Sequence, residues 1–149
     1  TPTGPVPAGY NRIVGTEGND PIIGTEGNDL IFGLGGNDMI WGMGGDDIVI
    51  GGDGYDRLFG GSFVSEDDPG DGDDILCGGT GNDQLLGQGG NDQLFGEEDN
   101  DDLHGGLEND VLMGGPGNDR LFGGPGMNML NGGTGTNTCQ DPPPTLANC

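Results

Sequence analysis

Eleven aspartates recur at one place in a short repeating unit: Asp20, Asp29, Asp38, Asp47, Asp56, Asp74, Asp83, Asp92, Asp101, Asp110 and Asp119. Successive members are nine residues apart, with one step of eighteen between Asp56 and Asp74. Almost every one follows a glycine-rich turn. Carboxylates beside a tightly turned backbone supply hard oxygen ligands, and a hard divalent cation takes roughly six to eight of them. Catalysis is the other chemistry that paired carboxylates perform. Here it finds no support: the single histidine, His104, falls at an outward strand place beside no nucleophile and reads as a surface residue. No zinc-ligand spacing, phosphate-binding loop with lysine, or serine-centred elbow is present. The expectation is a binding protein, not an enzyme.

Composition narrows the class further. The 149 residues carry 26 Asp and Glu against 3 Lys and Arg, a formal net charge of -23. Glycine takes 37 positions and only 30% of residues are hydrophobic. Such a chain cannot bury enough apolar surface to offset its ordering entropy unaided. Nucleic acid is excluded as a partner, because phosphate calls for positive potential. No apolar run approaches the roughly 20 residues of a membrane span. What remains is a disordered acidic chain, or one whose acids are neutralised by cations.

The repeat decides between them. From Gly15 the chain reads GTEGNDPII, GTEGNDLIF, GLGGNDMIW, GMGGDDIVI and GGDGYDRLF. It resumes as GGTGNDQLL, GQGGNDQLF, GEEDNDDLH, GGLENDVLM, GGPGNDRLF, GGPGMNMLN and GGTGTNTCQ. Glycine opens each unit and usually recurs at the fourth place, aspartate holds the sixth, and an aliphatic residue the eighth. This pattern resembles the RTX (repeats-in-toxin) nonapeptide GGxGxDxUx, in which U is a large aliphatic residue; calcium binding is the property attached to that repeat. The resemblance implies an all-β, right-handed parallel β-roll, a β-helix or solenoid in which eighteen residues make one coil. Two narrow sheets alternate with two stacks of turns, and each calcium lies between turns of adjacent coils. Within the unit, glycines permit the tight turn, and the last three residues form a short strand whose middle member points inward. Ile22, Ile31, Ile40, Val49 and Leu58 are the expected core, with neighbours such as Met39 and Trp41 outward.

One segment breaks the rhythm. Between Phe59 and Gly78 lies GGSFVSEDDPGDGDDILC. Read as two regular units, it puts Ser65 at the ligand place and Asp67 at the buried aliphatic place, where an unpaired charge is costly. Reading residues 62–70 as an inserted surface loop repairs both defects, and its Ser-Glu-Asp-Asp-Pro-Gly composition suits a loop. That parsing is preferred. One stack then runs Asp20, Asp38, Asp56, Asp83, Asp101, Asp119, and the other Asp29, Asp47, Asp74, Asp92, Asp110. Pairing neighbours gives about nine calcium sites, and nine divalent ions would reduce the formal charge from -23 to about -5.

The ends read as caps. The expected organisation is an N-terminal cap over 1–14, a roll over 15–140 with the loop at 62–70, and a tail over 141–149. VPAGYNRIV fits the frame loosely, with Gly9, Asn11 and Ile13 in register. Asn128 and Asn137 stand at the ligand place of the last two units, either completing weaker calcium sites or finishing the stacks. Asp99 and Glu108 replace the fourth-place glycine; a left-handed backbone there suits aspartate better than glutamate.

Cys139 falls at an inward place and Cys149 is the last residue given. A disulfide closing that loop would contribute roughly 3 kcal/mol and pin the tail, and it would imply an oxidising compartment. Cys77 is left unpaired. The expected localisation is secreted or extracellular. The expected role is a calcium-binding structural or adhesive component; the alternative is the C-terminal RTX module of a larger secreted enzyme of the protease, lipase or alginate epimerase type. Outward apolar rows (Phe32, Ile50, Phe95 on one sheet, Trp41 and Phe59 on the other) are candidate docking or self-association faces.

Overall fold

The computed structural model describes residues 4–62, 71–142 and 146–149. Among them there are fifteen strands and no helix: β1 (Asn11–Val14), β2 (Pro21–Ile23), β3 (Asp29–Gly35), β4 (Met39–Trp41), β5 (Ile48–Asp53), β6 (Arg57–Phe59), β7 (Ile75–Thr80), β8 (Gln84–Gln88), β9 (Gln93–Glu98), β10 (Asp102–Gly106), β11 (Val111–Pro116), β12 (Arg120–Phe122), β13 (Met129–Thr134), β14 (Thr138–Gln140) and β15 (Leu146–Asn148). Odd-numbered strands form one parallel sheet and even-numbered strands the other. The chain therefore alternates between sheets at every turn and returns to each sheet after one coil. This is a parallel β-roll.

The register follows from the repeat. Most strands pair with the strand eighteen residues on, as Ile31 does with Val49 and Leu103 with Leu121. Across the irregular segment the step is twenty-seven: Val49 pairs with Leu76 and Leu58 with Leu85. The ladder skips nine residues and keeps every aliphatic place aligned. Apart from Ser62, the segment expected to loop out lies outside the described residues. Ser62 itself is buried, and its carbonyl accepts a bond of 2.9 Å from the Gln88 amide.

The core is one aliphatic side chain per half coil. Ile22, Ile31, Ile40, Val49, Leu58, Leu76, Leu85, Leu94, Leu103, Leu112, Leu121 and Leu130 form a single column between the sheets. Ile13 and Cys139 pack against its two ends. Period-two alternation in the strands explains this: the eighth place points in, and the seventh and ninth point out.

Several strands are longer than the three residues expected from the pattern. β5, for example, runs on from Ile50 through Gly51 and Gly52 to Asp53, and Gly52 pairs with Gly79. The first residues of the next unit thus still belong to the ladder, so the glycine turn begins later than the residue types suggest.

The tail adds a strand. β15 pairs with β13, placing Leu146 opposite Met129, and a disulfide joins Cys139 to Cys149. Cys77 is a half-buried free thiol, and burial in the sheet pushes its pKa up to about 11. At the other end β1 covers β3, with Asn11 opposite Asp29 and Ile13 opposite Ile31.

Deleting residues 62–70 joins Gly61 to Asp71 and restores the regular unit GGDGDDILC. Loss of the Ser62–Gln88 bond costs about 1 kcal/mol, too little to break the roll. We expect the deletion variant to keep the far-ultraviolet circular dichroism of the parent; a random-coil spectrum under the parent's folding conditions would contradict the register.

Candidate metal centre

The aspartates at the sixth place form two continuous ladders, one along each stack of turns. In the first, the backbone N–H of Asp20 donates to Oδ1 of Asp38 at 2.9 Å, and Asp38, Asp56, Asp83 and Asp101 repeat the bond onto Asp56, Asp83, Asp101 and Asp119 at 2.8 to 3.0 Å. In the second, Asp29, Asp47, Asp74 and Asp92 donate to Asp47, Asp74, Asp92 and Asp110 at 2.7 to 3.0 Å. Each carboxylate from Asp38 and Asp47 onward thus spends one oxygen on orienting itself against the preceding coil.

The other oxygen is left over. Oδ2 of Asp38, Asp47, Asp56, Asp74, Asp83, Asp92, Asp101, Asp110 and Asp119 is buried and has no hydrogen-bond partner. All nine residues are at most 2% exposed. A buried, unpartnered carboxylate oxygen is destabilising, and nine in register call for a common ligand. The surroundings fit a cation. At Gly51 a Cβ would meet Oδ2 of Asp56 and, 2.7 Å away, the carbonyl oxygen of Gly78 in the next coil. At Gly87 it would meet Oδ2 of Asp92 and, at 2.5 Å, the carbonyl oxygen of Gly105. The opening glycine is therefore required for space: it leaves a cradle of oxygens that a side chain would fill. Among the described residues no three acidic, imidazole or thiolate groups converge on one point. A cation held here would draw on carbonyls as well as carboxylates, as hard divalent ions do.

The two asparagines complete the ladders differently. Asp110 donates to Oδ1 of Asn128, and Asp119 to Oδ1 of Asn137, both at 2.8 Å. The Asn128 amide then donates to the Gly124 carbonyl at 2.9 Å and to Asp141 at 2.8 Å. Asn128 thereby uses its nitrogen where the aspartates keep a bare oxygen.

A second ladder went unread in the sequence. The fifth-place residue accepts a backbone N–H from the following coil, at 2.8 to 3.0 Å: Asn37 donates to Asn19, Tyr55 to Asn37, Asn91 to Asp73, Asn100 to Asn82, and Asn118 to Asn100. These bonds run opposite in direction to the aspartate ladder, so adjacent turns are tied both ways. The recurring Asn-Asp dipeptide was the available signal.

The left-handed positions are also more numerous than expected. Asp99 and Glu108 do adopt positive φ, at 80° and 75°. So do second-place residues, including Leu34 and Met43 at 90°, Gln88 at 82° and Glu97 at 77°.

Burial acts on the carboxylates as a desolvation penalty. It is the first cause in each case, with like charge from neighbouring aspartates adding to it and the ladder hydrogen bond opposing it. Asp74 is pushed up to about 9 and Asp92 to about 8. Asp47, Asp83 and Asp101 rise to about 7, and Asp56 and Asp110 to about 6. Asp71, beside the second stack, adds repulsion at Asp47, Asp74 and Asp92.

His104 has structural uses. Its Nε2 lies 3.1 Å from Asp102 Oδ1 and its ring stacks on Phe122 at 4.7 Å. Arg120 bonds the other Asp102 oxygen at 3.3 Å and lies over the same phenyl ring. The outward rows align as expected: Phe32, Ile50, Cys77, Phe95 and Met113 on one sheet, and Ile23, Trp41, Phe59 and Leu86 on the other, where Trp41 and Phe59 stack at 5.3 Å.

Repeated stacked turns, each with an inward aliphatic residue and a buried aspartate facing glycine carbonyls, define a cation-binding β-solenoid. The RTX calcium-binding nonapeptide repeat matches the chain in four copies, over residues 14–49, 41–62, 68–103 and 104–139. The chain belongs to that family. It is a calcium-binding repeat whose β-roll is structural and not catalytic in itself, of a kind typically found in secreted bacterial proteins. No curated protein matches it.

Two outcomes follow. A carboxyl whose folded pKa lies above its unfolded value of 3.8 stabilises the fold below that value and loses the contribution as pH rises through the folded pKa. In chelator, the β signal should therefore be strongest near pH 4 and fall as pH rises from there toward neutrality, where seven of these groups have lost most of the contribution; a signal that grows with pH in chelator would contradict the burial of these groups. Separately, Glu108→Gly relieves a left-handed penalty of about 1–2 kcal/mol and adds about 0.5–1 kcal/mol of unfolded-chain entropy. The first effect wins, so its Tm should rise in calcium relative to wild type.

Proposed function

We propose that this protein is a secreted calcium-binding β-roll that folds on taking up about nine calcium ions, and that its role is structural or adhesive. The observation that supports this reading is the set of nine buried aspartate oxygens without a partner, each facing glycine carbonyls. Asp38, Asp56, Asp83, Asp101 and Asp119 would hold ions in one stack, and Asp47, Asp74, Asp92 and Asp110 in the other, with Asn128 and Asn137 closing the last turn of each. Asp20 and Asp29 complete the two ladders at the first coil. Calcium supplies charge: it satisfies the bare oxygens and cancels repulsion along each ladder, so that metal-binding energy becomes folding energy.

The Cys139–Cys149 disulfide supports export, since structural disulfides persist in oxidising surroundings. The outward aromatic rows are the surface we assign to contact with a partner or a second copy.

Circular dichroism and size-exclusion chromatography in excess chelator at neutral pH should show an expanded, largely disordered chain. Added calcium should produce β signal and a compact elution volume. A chelated protein at pH 7 that stays compact and β-rich would overturn the reading.

A further inference from the structure

Two aspartates of the ladders differ from the other nine. Oδ2 of Asp20 accepts the Thr16 backbone N–H at 2.6 Å and lies 2.8 Å from the Thr16 hydroxyl. Oδ2 of Asp29 accepts the Thr25 N–H at 2.5 Å and lies 3.0 Å from the Thr25 hydroxyl. These are the oxygens that stay bare in every later coil. Thr16 and Thr25 occupy the second place of the first two units, the GTEGND pair, and so the first turn of each stack.

The backbone explains the difference. The second-place residues serving Asp38, Asp47, Asp56, Asp83, Asp92, Asp101, Asp110 and Asp119 are Leu34, Met43, Gly52, Gly79, Gln88, Glu97, Gly106 and Gly115. All eight have positive φ; the ninth bare oxygen, on Asp74, follows Gly61 across the inserted segment, and Gly61 is not left-handed but carries no hydroxyl to cap the carboxylate. In the left-handed conformation the second-place N–H turns away from the carboxylate; the N–H of Met43 bonds the Gly60 carbonyl in the next coil, and that of Gly106 the Gly123 carbonyl. Threonine is β-branched and strongly disfavours positive φ. Thr16 and Thr25 are not left-handed, and their N–H groups stay on the aspartate. Each hydroxyl also accepts the N–H two residues on, from Gly18 at 3.2 Å and Gly27 at 3.3 Å, which holds the turn in this form.

We propose that the second-place residue selects whether a turn takes calcium, and that Thr16 and Thr25 are built-in caps that replace the ion at the N-terminal turn of each stack. This rests on the calcium reading above and refines it. The cation ladders begin at Asp38 and Asp47 and not at Asp20 and Asp29, and the count of nine matches the nine bare oxygens. Capping has a physical purpose. The first coil has no regular coil before it, and two hydrogen bonds satisfy its carboxylate without a cation.

Counting bound calcium by native mass spectrometry tests this. Wild type should carry nine ions. Thr16→Gly/Thr25→Gly frees both oxygens and both backbones, and should carry eleven. The reverse change, Glu97→Thr, should cap Asp101 and lower the count to eight, whereas Glu97→Gly, which keeps the left-handed turn, should leave nine. A double variant that still folds with calcium but binds nine or fewer overturns the cap assignment alone, as does a Glu97→Thr variant that keeps nine. Wild-type protein that binds no calcium overturns the calcium reading and this inference together.

Discussion

Like charges stacked one coil apart are the constraint on which everything else depends. Parallel strands lie about 4.8 Å apart, and at an effective dielectric near 20 two carboxylates at that spacing repel by about 3 kcal/mol. The chain has two such ladders, and ten of their eleven aspartates are buried. Burial first, and the repulsion added to it, make these groups hold protons well above the ordinary carboxylate range. A bound cation would relieve the repulsion at neutral pH without a proton.

The rest of the architecture keeps those oxygens in register. The aliphatic column is thin, a single side chain per half coil, so it sets which way each strand faces but supplies little of the cohesion a larger core would. Rigidity comes from the turns. Aspartate ladders send their hydrogen bonds toward one end and asparagine ladders toward the other, so neither can shift without breaking the other. Glycine at the opening place serves the site by having no side chain, while the second and fourth places serve it by backbone conformation. One residue type thus answers two separate physical demands within six positions.

The ends of the roll show what a repeat needs where it stops. A ladder must end on a group that satisfies itself. Asn128 does so with its amide nitrogen and Thr16 and Thr25 with hydroxyl and backbone N–H. The sheets end in the same spirit: β1 covers the first coil and the disulfide-tethered β15 lies on the last β13 strand, leaving fewer exposed ladder edges.

Much of this was legible in the residues because the determining signals are local and repeat every nine positions. Period nine carried the family resemblance that implied the parallel roll and its alternating sheets, and the aliphatic eighth place set the single-file core. Placing Asp67 in the core was costly enough to indicate a twenty-seven-residue register step, and Val49 does pair with Leu76. The tertiary structure alone decided which oxygen of each aspartate stays bare, because Oδ1 is claimed by an N–H eighteen or twenty-seven residues away. It decided, too, that strands run on into the glycines, that Leu34 and Met43 turn left-handed, and that Thr16 and Thr25 bond the carboxylate. Residue type says what a turn can do; the neighbouring coil settles which of its groups are already satisfied.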